Sequence, residues 1–176
     1  AGEGLVFENS GGFLGPNSSY TINMLFKYNT LQGTLGYPYA TGAQRLINFD
    51  TASNFGVYSF PPILAPPDGG VQFYTGDPLT SNTSNRITAN TFFLFTIIRN
   101  AATDSVFIYI NGHKADSIYE TSGLYAPQNA TAPIWFFVDN GISENYSCET
   151  GPGSISYLSI SNVASTPEEI QNFYST

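Results

Sequence analysis

Short runs of apolar residues separated by polar turns recur along this chain. The clearest example is Phe92–Gly112, in which two apolar runs flank a polar turn at Asn100–Asp104 and the second run ends in Asn111-Gly112. Aromatic and β-branched residues suit a pleated strand, and an Asn-Gly pair tolerates the positive φ of a tight hairpin. The pattern predicts two strands joined by a hairpin, with Lys114–Glu120 returning as a third strand.

A period of two residues also marks the segment Tyr20–Lys27, where alternate positions are large and apolar. This is the pattern of a strand with one buried face. Loops rich in Gly and Pro are predicted at residues 32–42 and 61–70, and four prolines in the second argue against ladder pairing there. Short strands cut by such turns predict a single all-β domain over residues 1–176, an antiparallel β-sandwich.

One helix is predicted, at residues 166–174. Thr166 is a capping residue, Pro167 suits the first helical position, and Glu169 completes a capping box. Ile170, Phe173 and Tyr174 follow at helical spacing and can pack on the sandwich.

Some of the predicted strands are apolar on both faces, although a two-layer sandwich exposes one face of each sheet. In Val106–Ile110, Phe107 and Tyr109 point away from the other apolar residues. Either the chain's own loops and aromatics cover that face, or another subunit does. The N-terminal segment 1–13 also has two interpretations. Leu5, Val6 and Phe7 can form a strand of this chain's own sandwich, or they can pair with the open sheet edge of a neighbouring subunit.

The order of these runs resembles that of the LamG-like jelly-roll family, the concanavalin A-type lectin and glucanase sandwiches. The central hairpins match the family's "TRD…TVTGYVNG" run, Gln44–Asp50 its "RIIDF" strand, and Trp135–Asn140 its "RFFQDD" segment. Gly153–Asn162 matches its last long strand, so that the resemblance covers about residues 20–174. It implies a jelly-roll fold, which serves binding modules, glycosidases and structural domains alike.

Composition narrows the class of protein. Only 10% of residues are charged, far below the usual quarter, so Ser, Thr, Asn and Gly must form the surface of what we expect to be an exported, cell-surface or extracellular protein. The net charge of −8 argues against binding to nucleic acid phosphates. No apolar run approaches the ~20 residues that span a bilayer. The chain begins at Ala1, which we interpret as a mature N-terminus after removal of a signal peptide.

The sequence also contains residues that can be covalently modified. Cys148 is the only cysteine, so an internal disulfide is excluded and a buried thiol or an intermolecular bridge remains. In an exported eukaryotic chain, Asn-X-Ser/Thr sequences become glycosylation sites. Four of them occur, all in turn-like contexts: Asn17, Asn82, Asn129 and Asn145.

Two binding sites are candidates. Carboxylate and amide oxygens suit Ca²⁺, and in LamG-like relatives acids after the strand equivalent to Trp135–Val138 often hold calcium. Asp139 and Asn140 match those positions, and Glu144 and Glu149 match approximately, although the usual Asp-Asp pair is Asp-Asn here. The alternative is a solvated acidic loop. Tyr37 and Tyr39 could stack on sugars or anchor their own loop to the core.

No catalytic site is predicted. The jelly-roll glucanases carry an E-x-D-x-x-E-like run, which is absent, and the only histidine, His113, follows a hairpin turn where a solvated side chain is expected. Three hypotheses follow. The first is a non-enzymatic extracellular structural subunit that assembles with copies of itself into a surface fibre. The alternative is a lectin-like glycan-binding module, with or without calcium, and a glycan-active enzyme comes behind both.

Overall fold

A computed structural model describes residues 4–29, 44–49, 56–60, 69–74, 86–120, 123–137 and 153–175 of the chain. Within these ranges it contains strands throughout and one helix at the end. In chain order the elements are β1 (Leu5–Phe7), β2 (Tyr20–Tyr28), β3 (Gln44–Asn48), β4 (Gly56–Phe60), β5 (Gly69–Tyr74), β6 (Arg86–Ile87), β7 (Phe93–Asn100), β8 (Ser105–Ile110), β9 (His113–Tyr119), β10 (Ile134–Phe136), β11 (Gly153–Ser161) and α1 (Pro167–Ser175).

The strands form two antiparallel sheets that face each other. Sheet A has the order β1-β10-β3-β4-β5-β6, and sheet B has the order β11-β2-β7-β8-β9. Neighbours that are distant in sequence, such as β10 beside β3 and β11 beside β2, come from connections that cross between the sheets. The predicted antiparallel sandwich with one C-terminal helix is confirmed.

The core lies between the two sheets, where alternate side chains of each strand meet. Tyr20, Ile22, Met24 and Phe26 of β2 are fully buried, as the period of two residues predicts. Full burial of each such side chain contributes ~1.5–3 kcal/mol. Partners from sheet A fill the other half of the core: Ile47, Val57, Val71, Phe73, Ile134 and Phe136.

The β8–β9 hairpin turns at the predicted Asn-Gly pair. Asn111 and Gly112 have φ values of 51° and 76°, and two positive φ angles in succession match the right-handed twist of the strands. The Asn111 side chain also binds the start of β7, since Leu94 N donates to Asn111 Oδ1 at 2.9 Å. A Cβ at Gly112 would lie 3.1 Å from Cβ of Tyr174, so Tyr174 would have to shift by a few tenths of an ångström to accommodate a side chain.

Strand β10 is shorter than the pattern predicts. It ends at Phe136, because Phe137 has a φ of 60° and leaves the ladder. The Phe137 amide donates to Leu46 O at 3.1 Å, and its ring packs on Phe26 at 5.3 Å and Tyr28 at 6.0 Å between centroids. The sequence pattern counts Phe137 as one more strand residue because an apolar side chain gives no sign of a left-handed backbone.

Helix α1 begins with the predicted capping box. Thr166 N donates to Glu169 Oε2 at 2.7 Å, and Glu169 N donates to Thr166 Oγ1 at 3.2 Å. Ile170 is buried against Ile98 and Tyr109, on the side of sheet B that faces away from sheet A. The chain's own helix therefore covers part of the outer face of sheet B.

This helix changes the interpretation of the strands that are apolar on both faces. Tyr109 is only 6% exposed, and Phe107 is half-buried beneath Lys114, whose Nζ lies 4.9 Å from the ring centroid. Of the two alternatives, cover by the same chain is the one observed at Tyr109. A subunit contact through Phe107 and Tyr109 stays a prediction. Helix α1 leaves little of the Tyr109 ring exposed for such a contact.

The N-terminal segment belongs to its own sandwich. Strand β1 pairs with β10, with Val6 opposite Trp135, and Phe7 packs against the core. Strand β1 is nevertheless the edge of sheet A, and Leu5 and Val6 remain 45% and 38% exposed. Both alternatives for the segment retain support. Strand β1 completes sheet A of this chain, and its other edge has no strand paired with it among the described residues.

Candidate functional site

Several of the residues singled out by sequence lie outside the described ranges. They include both tyrosines proposed for sugar stacking and all four proposed calcium ligands. The residues in question are Tyr37, Tyr39, Asp139, Asn140, Glu144 and Glu149, together with Asn82, Asn145 and Cys148. Calcium binding and sugar stacking at these positions stay predictions. Among the residues that are described, no group of three or more His, Cys, Asp or Glu side chains is arranged to hold a metal ion.

The outer face of sheet A is the candidate binding surface among the described residues. Trp135 points to this face because its neighbours in β10, Ile134 and Phe136, point into the core. The ladder sets Trp135 between Val6 of β1 and Asn48 of β3. An exposed aliphatic side chain, a half-buried indole and a fully buried amide therefore follow one another across three strands.

Trp135 is the only tryptophan of the chain. Its indole Nε1 is buried, and it has no hydrogen-bond acceptor among the described residues. A buried donor without an acceptor costs ~1–3 kcal/mol. An acceptor oxygen at this point would therefore be stabilising.

Polar side chains are buried on the same sheet. Asn48 and Arg45, both in β3, are fully buried. The ladder sets Arg45 opposite Tyr58, and Tyr58 opposite Gln72. Charged side chains are almost never fully buried without a role in a network, so β3 brings an amide and a guanidinium to a sheet whose core positions are otherwise aliphatic and aromatic.

A second polar cluster closes one end of the sandwich. Arg99 Nε lies 3.5 Å from Glu120 Oε2, and both side chains are at most 5% exposed. Arg99 Nη1 donates to Ser18 O at 2.7 Å, and Glu120 Oε1 accepts from Leu124 N at 2.8 Å. These bonds tie the loop before β2 and the loop after β9 to the end of β7.

Two tyrosines pack beside this ion pair. Tyr20 Oη donates to Tyr125 O at 2.6 Å. Burial raises the pKa of Tyr20 well above its usual value, with Glu120 adding to the rise and Arg99 opposing it. Burial, followed by the charges of Glu120 and Asp116, also raises the pKa of Tyr125. Both hydroxyls stay protonated at neutral pH. The cluster is too deeply buried to meet a substrate, so its role is to hold the loops before β2 and after β9 against the end of β7.

The remaining predicted positions are at the surface. His113 is exposed directly after the Asn111-Gly112 turn, in the solvated position that the sequence predicts. Asn17 and Asn129 are also exposed, each in a turn. Within the described ranges, no helix is long and apolar enough to cross a bilayer.

Comparison with known proteins identifies which kind of β-sandwich this is. No protein-family model matches this sequence, and no curated protein matches it. Solved structures do match, at low sequence identity. A heptameric SAP-like pentraxin from Limulus polyphemus is 11% identical with a TM-score of 0.61, over 89% of this chain and 70% of that one.

Two further structures match equally well. A CBM40 module of the Ruminococcus gnavus IT-sialidase, bound to α2,3 sialyllactose, is 11% identical with a TM-score of 0.61, over 99% of this chain and 94% of that one. Domain 4 of the arabinanase AbnA from Geobacillus stearothermophilus, in complex with arabinotriose, is 17% identical with a TM-score of 0.60, over 89% and 68%.

The chain has a jelly-roll fold. Its structural neighbours include lectin-like and carbohydrate-binding domains, which agrees with a concanavalin A-like sandwich. Membership of the LamG-like group in particular stays a prediction.

The sequence interpretation missed the buried polar residues of this jelly-roll. Arg45 and Arg99 are two of only five basic residues in the chain, and each interrupts an apolar strand. A guanidinium within an apolar run is a usable signal, because it requires a partner once buried. The partner of Arg99, Glu120, was assigned only to the end of a strand, and its proximity to Arg99 depends on the way β9 folds back.

Proposed function

We propose that this chain is a non-catalytic carbohydrate-binding module whose ligand lies on the outer face of sheet A, against Trp135. The observation that carries the proposal is the contrast between the two outer faces. Helix α1 covers part of sheet B, whereas no described helix or strand packs over Trp135 and Val6 on sheet A.

The chemistry of this face suits a sugar. A pyranose or furanose ring presents a face of C–H groups that packs on an aromatic ring, and its hydroxyls need hydrogen-bonding side chains around that ring. Trp135 supplies the ring of a half-buried indole, whose N–H lies below the surface. Asn48, its ladder neighbour, is fully buried beneath this face.

Structural likeness supports the same class of function. The Ruminococcus gnavus module and the Geobacillus stearothermophilus domain, which share this fold, have α2,3 sialyllactose and arabinotriose bound. Jelly-roll folds also carry other functions, so the proposal depends on the Trp135 surface and not on the fold.

Three finer properties belong to the proposal. The module is secreted or displayed at a cell surface, in keeping with its 10% charged residues. It has no catalytic role, in keeping with the absence from its sequence of the glucanase acid run. Calcium bound by Asp139, Asn140, Glu144 and Glu149 would support glycan binding. A melting temperature unchanged by millimolar calcium would contradict a calcium site at these residues.

The test is a glycan array probed with the folded chain, followed by calorimetry on the sugars that bind. Trp135→Ala is expected to lower affinity at least about tenfold, since ~1.5–3 kcal/mol accompanies burial of an aromatic side chain and 1.4 kcal/mol is tenfold. Tyr157→Ala is the matched control, because Tyr157 is a 42% exposed aromatic beside helix α1 on the other sheet. A chain that binds no glycan, or one whose binding survives Trp135→Ala, contradicts the proposal.

A second candidate function is a structural subunit that assembles through strand β1. The observation in its favour is that β1 is an edge strand with exposed Leu5 and Val6, and an exposed edge can pair with another chain. Val6→Lys should then abolish assembly and leave a folded monomer. Sedimentation of the unmodified chain as a monomer at high concentration would dismiss this candidate.

A further inference from the structure

Two of the four Asn-X-Ser/Thr sequences fall within the described residues, Asn17-Ser18-Ser19 and Asn129-Ala130-Thr131. Both asparagines are exposed, and neither lies in a strand or helix. A glycan on an asparagine requires an amide that still faces solvent after folding, and turns on the surface satisfy that requirement.

The turn at Asn129 leaves the acceptor nitrogen available. Asn129 Oδ1 accepts hydrogen bonds from Thr131 N and Thr131 Oγ1, both at 2.9 Å. Asn129 O accepts from Ala132 N at 3.2 Å. These bonds use the oxygens of Asn129, so substitution at Nδ2 would leave every one of them in place.

The turn at Asn17 is fixed from both sides. Ser18 N donates to Gly15 O at 3.0 Å, and Gly15 N donates to Ser18 Oγ at 2.8 Å. The turn is also held by the end of β7, since Arg99 Nη1 donates to Ser18 O and Ala101 N donates to Ser19 Oγ. Asn17 is therefore exposed on a turn whose backbone is tied to the buried ion pair.

The two turns lie at the same end of the sandwich. A Cβ placed on Gly12, in the loop that leads to Asn17, would lie 3.6 Å from Cβ of Ala130, the neighbour of Asn129. This is the end closed by Arg99 and Glu120.

We propose that Asn17 and Asn129 are N-glycosylation sites and that their glycans together cover this end of the sandwich. The donor is a diphosphate-activated oligosaccharide. The bond between its anomeric carbon and the diphosphate oxygen breaks, a bond from that carbon to Nδ2 forms, one amide proton is released, and the diphosphate leaves with the electron pair. Glycans would supply the hydration that a surface poor in charge lacks. This inference does not rest on carbohydrate binding by the chain.

The experiment is secretion of the full chain from eukaryotic cells, followed by peptide mapping before and after removal of N-glycans by an amidase. Peptides that contain Asn17 and Asn129 are expected to carry glycans and to show Asp in place of Asn after treatment. Asn17→Gln and Thr131→Val should each remove one glycan. Thr131→Ser is the control for the second site, because it keeps both the hydroxyl and the turn.

The outcomes separate folding from modification. Thr131→Val removes a hydrogen bond to Asn129 Oδ1 and is expected to remain folded, since the backbone bond from Thr131 N stays. If it is not secreted, Asn129→Asp replaces it, because a carboxylate oxygen accepts the same bonds and takes no glycan. Secreted, folded chain with bare Asn17 and Asn129 overturns the proposal, as does a glycan that persists in these variants.

Discussion

The outer faces of the two sheets differ in what covers them. On sheet B, Ile170 of the helix packs on Ile98 and Tyr109, and Tyr174 lies against Gly112. On sheet A, Trp135 and Val6 have no described helix or strand above them. A sandwich needs only its inner faces for a core, so aromatic residues on an outer face require another explanation. On one face the explanation is the chain's own helix, and on the other we propose a ligand.

The largest expected effect is on the buried Arg99–Glu120 pair, which ties the loops before β2 and after β9 to the end of β7. Arg99→Leu leaves Glu120 buried without its cation, and breaking a buried pair in this way costs ~3–5 kcal/mol. We expect the free energy of unfolding, measured by urea denaturation, to fall by that amount. The double variant Arg99→Leu/Glu120→Leu should recover part of the loss. A single variant as stable as the parent would mean that the pair does not stabilise this end of the sandwich.

The next effect concerns the face of sheet B that helix α1 covers. Ile170→Ala removes the buried side chain that anchors helix α1 to sheet B, and such truncations cost ~2–5 kcal/mol. We expect a value near the lower end, because the cluster around Ile170 is small. Phe173→Ala, at a 40% exposed position in the same helix, is the control and should cost less. Equal losses in the two variants would show that Ile170 is not the anchor.

Alkaline pH is expected to loosen the same end of the sandwich. Burial raises the pKa of Tyr20 and of Tyr125 in the folded chain, whereas an unfolded tyrosine ionises near pH ~10. Below pH ~10 both states hold the proton and stability is unaffected. Above it the unfolded chain loses protons first, so stability should fall. Tyr20→Phe should make this fall shallower, whereas Tyr119→Phe, at an exposed position, should not. A fall that is equally steep in all three proteins would contradict the assignment.

The smallest effect concerns the start of the helix. Thr166→Ala removes the side-chain half of the capping box, which is worth ~1 kcal/mol. Thr166→Ser should retain most of it. Thermal unfolding would measure the difference, and a Thr166→Ala variant with unchanged stability would show that packing of Ile170 alone defines the helix.

Much of this fold could be predicted from sequence because its signals are local. The alternation in Tyr20–Tyr28, the turn at Asn111-Gly112 and the box from Thr166 to Glu169 each depend on residues within a few positions of one another. The structure has a strand, a tight turn and a capped helix at these places.

The candidate site depended on contacts between distant segments. Trp135 becomes part of a surface only because β10 lies between β1 and β3, which brings it beside Val6 and Asn48. Helix α1 covers Tyr109 from a point about sixty residues further along the chain. No local pattern carries the order of strands in a sheet, so the sequence could indicate a second apolar face without telling which part of the chain would cover it.

The most direct test of the proposed binding face uses the fact that Trp135 is the only tryptophan. Its fluorescence reports on this one position, so the folded chain can be titrated with a glycan selected on the array. We predict a saturable change in emission with the dissociation constant that calorimetry gives, the same change in Tyr157→Ala, and no change in either protein with a sugar that does not bind. A glycan that binds by calorimetry without altering Trp135 emission, and binds equally well to Trp135→Ala, would contradict the account.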